Sequence, residues 1–400
     1  MRSPRVLVLG HLPPSVGGPA TYLSAVLSSS LADRFDLRPY NIGRPPKPKV
    51  HNNFGYSALW NAGLRRMLLA VAITLRHVLC FPLELLRLRP AIVHIHTAPY
   101  WVFWETAAYT VMSRALGIPC ILQLHYSFRL FYSSCSAFPR RSILWVLRHV
   151  TVFVVICGED LEFIEAIAPG RVTAVYLPNA IDVEGIRAAV DEVRRHRGPA
   201  AVVEVLFFGG SDTDRKGLPE LLHAIPDVAR CCPQARFRLV AVPPGRVRDL
   251  LSGAAIERCS IEGWVTGHRK VERLAQADVF ALPTHGEGMP IAILEAMAAG
   301  LAIVATNVAG IPDLIRHEQD GLLISPGDTS ALASALKRLI GSPGLRRTLA
   351  SRARERVFRD FDLAGCVERW DALYRMVLRD TPHGNPERAG AHRPGRREPV

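Results

Sequence analysis

The sequence predicts an α/β protein made of two doubly wound parallel sheets that face each other across a cleft. Three observations predict it. Strand-like and helix-like segments alternate from end to end, the pattern of a parallel sheet with helices on both faces. The alternation pauses once, around Leu177-Pro178-Asn179-Ala180-Ile181-Asp182, and then restarts. The chain has 400 residues, and at roughly 100–200 residues per domain this holds two such units.

In the first half, Val6–Leu9 reads as a buried strand and Thr21–Leu31 as a helix after a glycine turn. Ala91–His96 is a strand and Ala107–Leu116 a helix. Pro119–Leu124, Val152–Ile156 and Val172–Tyr176 are further strand-like runs. A helix near Glu184–His196 and the linker Arg197-Gly198-Pro199-Ala200 separate the halves. The second half places strands at Val202–Phe208, Phe237–Val242, Val279–Leu282 and Leu301–Ala305. Its helices fall at Leu218–Ala229, Ile291–Ala299, Asp328–Ile340 and Leu345–Phe358, with a last one at Leu363–Leu378. The expected domains are 1–180 and 200–360, followed by a helix over 361–379. Residues 380–400 are rich in proline, glycine and charge, the composition of a disordered tail. Ligands of open parallel sheets bind beyond the carboxyl ends of the strands, so both halves offer loops to the cleft.

Composition narrows the function. The hydrophobic fraction is 49% and the charged fraction 21%, which excludes wholesale disorder. The net charge is +13, and residues 38–150 concentrate it. That segment holds twelve arginines and two lysines against only Glu84 and Glu105. Such a field attracts anionic headgroups or phosphates. No zinc finger or RNP-type motif accompanies it, so a membrane surface or phosphorylated acceptor is expected and nucleic acid is not. Eight cysteines show no C-x-x-C spacing and read as buried free thiols of a reducing compartment. The opening MRSPRVLVLGHLPP reads as a first strand, since its apolar run is too short for a signal peptide. Met67–Leu88 is interrupted by Arg76, His77, Pro82 and Glu84, so it does not read as a spanning helix. It is either a helix packed on a domain core or an amphipathic helix at a membrane surface.

The run His285-Gly286-Glu287-Gly288-Met289-Pro290 follows a strand and opens a helix. Small residues permit close approach of a ligand, and Pro290 suits a helix start. A helix N-terminus offers unpaired N–H groups to a diphosphate. Glu287 and Glu295 can each accept two hydroxyl hydrogen bonds from a sugar or ribose diol. A strand, a loop and a helix also surround Gly209-Gly210-Ser211-Asp212-Thr213-Asp214-Arg215-Lys216-Gly217. A cation here would stabilise a departing diphosphate. Asp212 and Asp214 form a literal D-x-D, but aspartates before a helix also serve as caps, and no metal site is expected. His94 and His96 alternate on a strand without an apparent third metal ligand. His125 ends the next strand, and Gly17-Gly18-Pro19 precedes a helix after the first strand.

With these segments in order, the sequence resembles the GT-B-fold retaining glycosyltransferases of family four over about residues 5–378. Glu287 and Glu295 match its E-x7-E element, and Ala298–Ala305, Gly310–Ile315 and Asp320–Ile324 follow in the family's order. The resemblance implies two Rossmann-like domains, with the last helix crossing back to the first. It implies a nucleotide diphosphate sugar as donor, a UDP- or GDP-sugar, with no cofactor. A sugar would pass to an acceptor hydroxyl, saccharide or lipid-linked, in glycan, polysaccharide or glycolipid synthesis. By resemblance, His125, Lys216 and Glu287 are the catalytic residues. Gly17, Gly18, Arg215, Gly288, Met289, Pro290 and Glu295 would hold the donor, with Glu295 on the ribose. The family usually has an arginine where this chain has Gly210, and Arg215 is the candidate replacement. An epimerase or hydrolase of nucleotide sugars, or a non-catalytic membrane-associated binding protein, are the alternative readings. The expected location is cytoplasmic, peripheral on the inner face of the plasma membrane.

Overall fold

The structure, a computed structural model, describes residues 3–12, 17–43, 64–196, 202–210 and 212–380, with side chains from Val71 onward in the helix Leu64–Leu88. The expected linker at 197–200 lies outside the described residues, as does the expected tail at 380–400 apart from Asp380, which ends the last helix. Twelve strands form two six-stranded sheets. The first contains β1 (Arg5–Gly10), β2 (Asp36–Asn41), β3 (Ile92–Thr97), β4 (Cys120–Leu124), β5 (Val152–Val155) and β6 (Ala174–Tyr176). The second contains β7 (Val203–Phe208), β8 (Ala235–Val240), β9 (Cys259–Glu262), β10 (Val279–Leu282), β11 (Ala302–Thr306) and β12 (Leu322–Ile324). Their spatial orders are β2-β1-β3-β4-β5-β6 and β12-β11-β10-β7-β8-β9, and the strand pairs are parallel.

The central strands are buried because helices cover both faces; Val6–Leu9 and Val279–Leu282 are apolar throughout, while β4 carries the buried Gln123 and β3 the buried His94 and His96. Three edge or outer strands were not expected from the sequence: β2, β9 and β12. β2 contains Pro39, which has no N–H to give. An edge position tolerates it, since β2 pairs only with β1. β9 is polar and partly exposed, and β12 is three residues long. The expected helix Thr21–Leu31 is instead Gly18–Leu27 followed by a short helix, Leu31–Arg34.

Strand order reverses between β1 and β3 in one sheet and between β7 and β10 in the other. Ligands of open α/β sheets bind at such switch points. The loops that leave β1, β7 and β10 carry Gly17-Gly18, Gly209–Lys216 and Pro283–Pro290. Both switch points therefore present the segments singled out in the sequence.

The helix Pro343–Asp360 packs on the second sheet, and the chain then crosses back. The last helix, Leu363–Asp380, lies against β3 and the helices Gly18–Leu27 and Leu31–Arg34 of the first domain. Trp370 is fully buried there, and its indole N–H donates to the Tyr22 hydroxyl at 2.8 Å. The two crossings touch each other: Ile181 N–H donates to Phe361 O at 3.1 Å, and Leu363 N–H to Ile181 O at 2.8 Å. All eight cysteines are free, but Cys80 and Cys231 are exposed and Cys259 half-buried, so the expectation of buried thiols fails for those three.

Candidate active site

Two loops of the second domain are laced together. His285 N–H donates to the Arg215 carbonyl at 2.8 Å, and the Thr284 hydroxyl donates to the same oxygen at 2.9 Å. The Arg215 guanidinium returns to the Gly286 carbonyl. It also lies 3.1 Å from Glu287 Oε1 and 3.4 Å from Asp212 Oδ2. Lys216 Nζ is 3.8 Å from the same Glu287 oxygen. One carboxylate thus meets two cations, each largely shielded from solvent. Gly217 makes this possible: its φ is +81°, and a Cβ there would lie 1.9 Å from the Pro283 carbonyl oxygen. Lys216 is brought to the rim of β10 because nothing larger fits behind it.

The next turn is the helix Ile291–Ala298, with Pro290 as its extended N-cap. Glu295 lies within it and is buried, its carboxylate 2.5 Å from Lys270 Nζ. Lys270 also lies over the Phe208 ring at 5.9 Å. Glu287 and Glu295 are therefore on one loop–helix unit but carry different cations. Lys270 had no motif to mark it in the sequence. Gly210 has φ +94°, and a side chain there would lead toward Trp264 and Lys216.

The D-x-D aspartates diverge. Asp212 turns to Arg215, while Asp214 pairs with Arg246 at 2.5 Å. Among the described residues no group of three or more His, Cys, Asp or Glu side chains has the arrangement to hold a metal ion.

The first domain closes the other side. A Cβ on Gly288 would lie 2.7 Å from Ile156 Cδ1 and 2.8 Å from Tyr126 Cα, so the loop lies directly on the ends of β4 and β5. A Cβ on Gly18 would meet Ile291 Cγ1 at 3.4 Å, which sets the glycine pair opposite the start of the helix. The Asn179 amide donates to the Met289 carbonyl at 2.9 Å. Gly158 N–H donates to Asp313 Oδ2 at 2.7 Å.

His125 stands at this junction. Its Nε2 is 2.8 Å from His96 Nδ1, and the two rings stack at 5.1 Å with an interplanar angle of 10°. His94 stacks against His96 at 4.2 Å, and its Nδ1 is 2.7 Å from the Tyr374 hydroxyl. His94 and His96 are both buried, and His96 meets the cleft through His125. The rings form a ladder and do not converge on one point. Burial disfavours the charged imidazolium, holding His125 down to about 4 and His94 down to about 3. Burial depresses His96 as well, and its two histidine neighbours add to the effect. Tyr126, which the sequence gave no reason to select, spans the cleft beside Gly286, and burial raises its hydroxyl to about 12.

Known proteins resemble this chain in sequence and in fold. Residues 203–342 match the family described as glycosyl transferases group 1. The matched residues include the Arg215–Lys216 loop, Glu287 and Glu295. A phosphatidyl-myo-inositol mannosyltransferase of Mycobacterium leprae is 31% identical over 207 residues, 52% of each chain. An N-acetyl-α-D-glucosaminyl L-malate synthase of Bacillus anthracis is 36% identical over 113 residues, 28% of this chain and 30% of that one. The chain spans about half or less of the length of these curated relatives. The whole fold matches as well. A sucrose-phosphate synthase from Thermosynechococcus elongatus superposes with a TM-score of 0.72 at 20% identity, covering 94% of this chain and 100% of that one. Anabaena HepE, solved in complex with UDP, gives 0.68 at 17% identity, covering 93% and 100%. The fold is GT-B, and the region similar to the group 1 glycosyl transferases lies in the second domain.

Proposed function

We propose that this chain is a retaining glycosyltransferase. It moves a sugar from a UDP- or GDP-sugar to a hydroxyl of a saccharide or lipid-linked acceptor, in glycan, polysaccharide or glycolipid synthesis. The observation that carries the reading is the meeting of Arg215 and Lys216 at Glu287, beside the N-terminus of Ile291–Ala298 at a topological switch point. The curated relatives support it, since those named above are a mannosyltransferase and an N-acetyl-α-D-glucosaminyl L-malate synthase.

In this reading the diphosphate lies between the two cations and the helix N-terminus. Lys216 and Arg215 neutralise its charge as it leaves, which is electrostatic stabilisation of the transition state. Arg215 thereby supplies the charge absent at Gly210. The backbone of Gly288, Met289 and Pro290 faces the sugar hydroxyls, and Glu287 fixes the sugar or its phosphate. Glu295 takes the ribose diol, and Gly17-Gly18 closes over the phosphates from the other domain. The bond between the anomeric carbon and the phosphate oxygen breaks as the acceptor oxygen bonds to that carbon on the same face. The acceptor proton passes to the departing phosphate oxygen. His125, neutral at physiological pH, donates a hydrogen bond to the transferred sugar. No cofactor takes part in these steps. The acceptor is held by the basic first domain, at the inner face of an anionic plasma membrane.

The test is turnover of UDP- and GDP-sugars by the wild-type chain and by Lys216→Ala and Glu287→Ala. Each variant is expected to lose about 10²–10³ in kcat, the usual effect of removing one transition-state contact. Near-wild-type rates in both variants overturn the site assignment.

A further inference from the structure

We propose that the outer faces of the helices Leu64–Leu88 and Ala137–Leu147 form a docking surface for an anionic phospholipid bilayer. The inference deepens the membrane-proximal acceptor of the preceding reading and rests on it for its biological meaning.

The helix Leu64–Leu88 is apolar on both sides. Its inner side buries Phe81 and Leu85, with Phe81 against Tyr109 at 4.8 Å between ring centroids. Its outer side carries Leu75, Leu79, Leu83 and Leu86, all exposed, with Leu79 at 73% and Leu83 at 67%. Steps of four, four and three residues put these leucines on one stripe about 16 Å long. A surface helix of a water-soluble domain places polar groups there. Among the described residues eleven large hydrophobic side chains are exposed, and five of them lie on this one helix. The apolar excess is therefore local and not a general property of the surface.

The helix Ala137–Leu147 contributes the second strip. Phe138 is 81% exposed and Trp145 50%. Arg141 and Arg148, at the third and tenth positions after Phe138, are exposed on the same side. Aromatic residues interleaved with arginines suit the headgroup level of a bilayer. Both helices pack on the same face of the first sheet, one on each side of the helix Trp101–Ala115.

Charge selects the occupant. The helix Leu64–Leu88 carries four arginines and one acid, Glu84, which Arg87 already holds at 2.6 Å. A second copy of this chain would bring the same positive excess against itself. An anionic bilayer brings the opposite charge and a hydrocarbon layer for the leucines. Among the described residues no helix is long and apolar enough to cross a membrane, so the surface lies on the bilayer. Topology adds an orientation. The helix Leu64–Leu88 runs back toward the amino end of β3, and Ala137–Leu147 runs from the β4 side back to β5. Both helices therefore begin near the cleft rim, and docking brings that rim to the lipid.

The test is flotation of the full chain with vesicles of phosphatidylglycerol and phosphatidylcholine in equal parts, and with phosphatidylcholine alone. At low salt the wild type is expected to float with the anionic vesicles only, with binding weakened as salt screens the charge. The double variant Leu79→Glu/Leu83→Glu should lose about tenfold or more of the bound fraction, and Phe138→Ala/Trp145→Ala several-fold. Their thermal melts should match the wild type, because the altered side chains are exposed. Failure of the wild type to bind anionic vesicles at low salt overturns the proposal. Wild-type binding by the double glutamate variant also overturns it. A concentration-dependent dimer that the glutamates dissociate assigns the stripe to a second copy and overturns it too. UDP and GDP binding by calorimetry, without vesicles, separates the readings. Its loss with flotation intact defeats the transfer reading and leaves the docking surface standing.

Discussion

Burial decides the protonation of the histidines at the cleft. His125, His96 and His94 have folded pKa values below the ordinary 6.5, with burial as the leading cause. As pH falls from about 6.5 toward about 4, the unfolded chain takes up protons that these folded rings refuse. Their stabilising contribution is thus present above about 6.5 and is lost as pH drops through that window. Urea midpoints at pH 7 and pH 5 measure this. His125→Asn should lose less stability between those pH values than the wild type, because one of the refused protons is gone. An equal loss in both would mean that His125 carries its charge when folded. The same burial keeps His125 neutral above about pH 4, so in the proposed transfer it serves as a hydrogen-bond donor or acceptor and not as an acid.

At the scale of elements, strand β3 positions strand β4. His96 Nδ1 and His125 Nε2 share one proton, so the tautomer of one ring fixes that of the other. His96 is thus a positioning residue for His125. His96→Leu should lower kcat by about 10²-fold with little change in donor KM, since misplacement of a contact costs rate before binding. His96→Asn, whose amide can reach the place of Nδ1, should recover most of it. If Leu and Asn behave alike, the role is packing alone. The loop after β10 gives a second case. Gly288→Ala puts a methyl group within 2.8 Å of the Tyr126 backbone, so the domains must part. Steady-state kinetics should show kcat/KM down about 10²-fold, while separate melting of the domains stays unchanged.

At the scale of the whole molecule, the crossover helix holds the first domain to the second. Trp370 is fully buried between β3 and Tyr22, and Tyr374 caps the histidine ladder from the same helix. Trp370→Ala should destabilise the first domain by about 3–5 kcal/mol, the usual cost of emptying so large a buried site. Urea unfolding followed by circular dichroism reads it directly. The His94–Tyr374 contact also ties the histidine ladder to a helix that follows both domains in sequence. Arg34 adds a half-buried pair to Asp371 at 3.4 Å.

The sequence by itself determined the architecture, because strands buried on both faces are mostly apolar and glycine-rich turns separate them from the helices that follow. Val6–Leu9, Pro119–Leu124 and Val279–Leu282 announce their strands in this way. Glu287, Lys216 and the glycines around them were legible for the same reason, since each sits at a fixed offset from a strand end. Edge strands escaped, because β2 and β9 are half-solvated and carry no unbroken apolar run. Only the tertiary structure decided which charges meet. Lys270 reaches Glu295 from 25 positions away and Arg215 reaches Glu287 from 72 positions away. Contacts of that kind depend on how the strands and helices of the second sheet pack, and no local periodicity encodes them. The same holds for the leucine stripe: periodicity gives a helix apolar on two sides, and only packing shows which side is left facing outward.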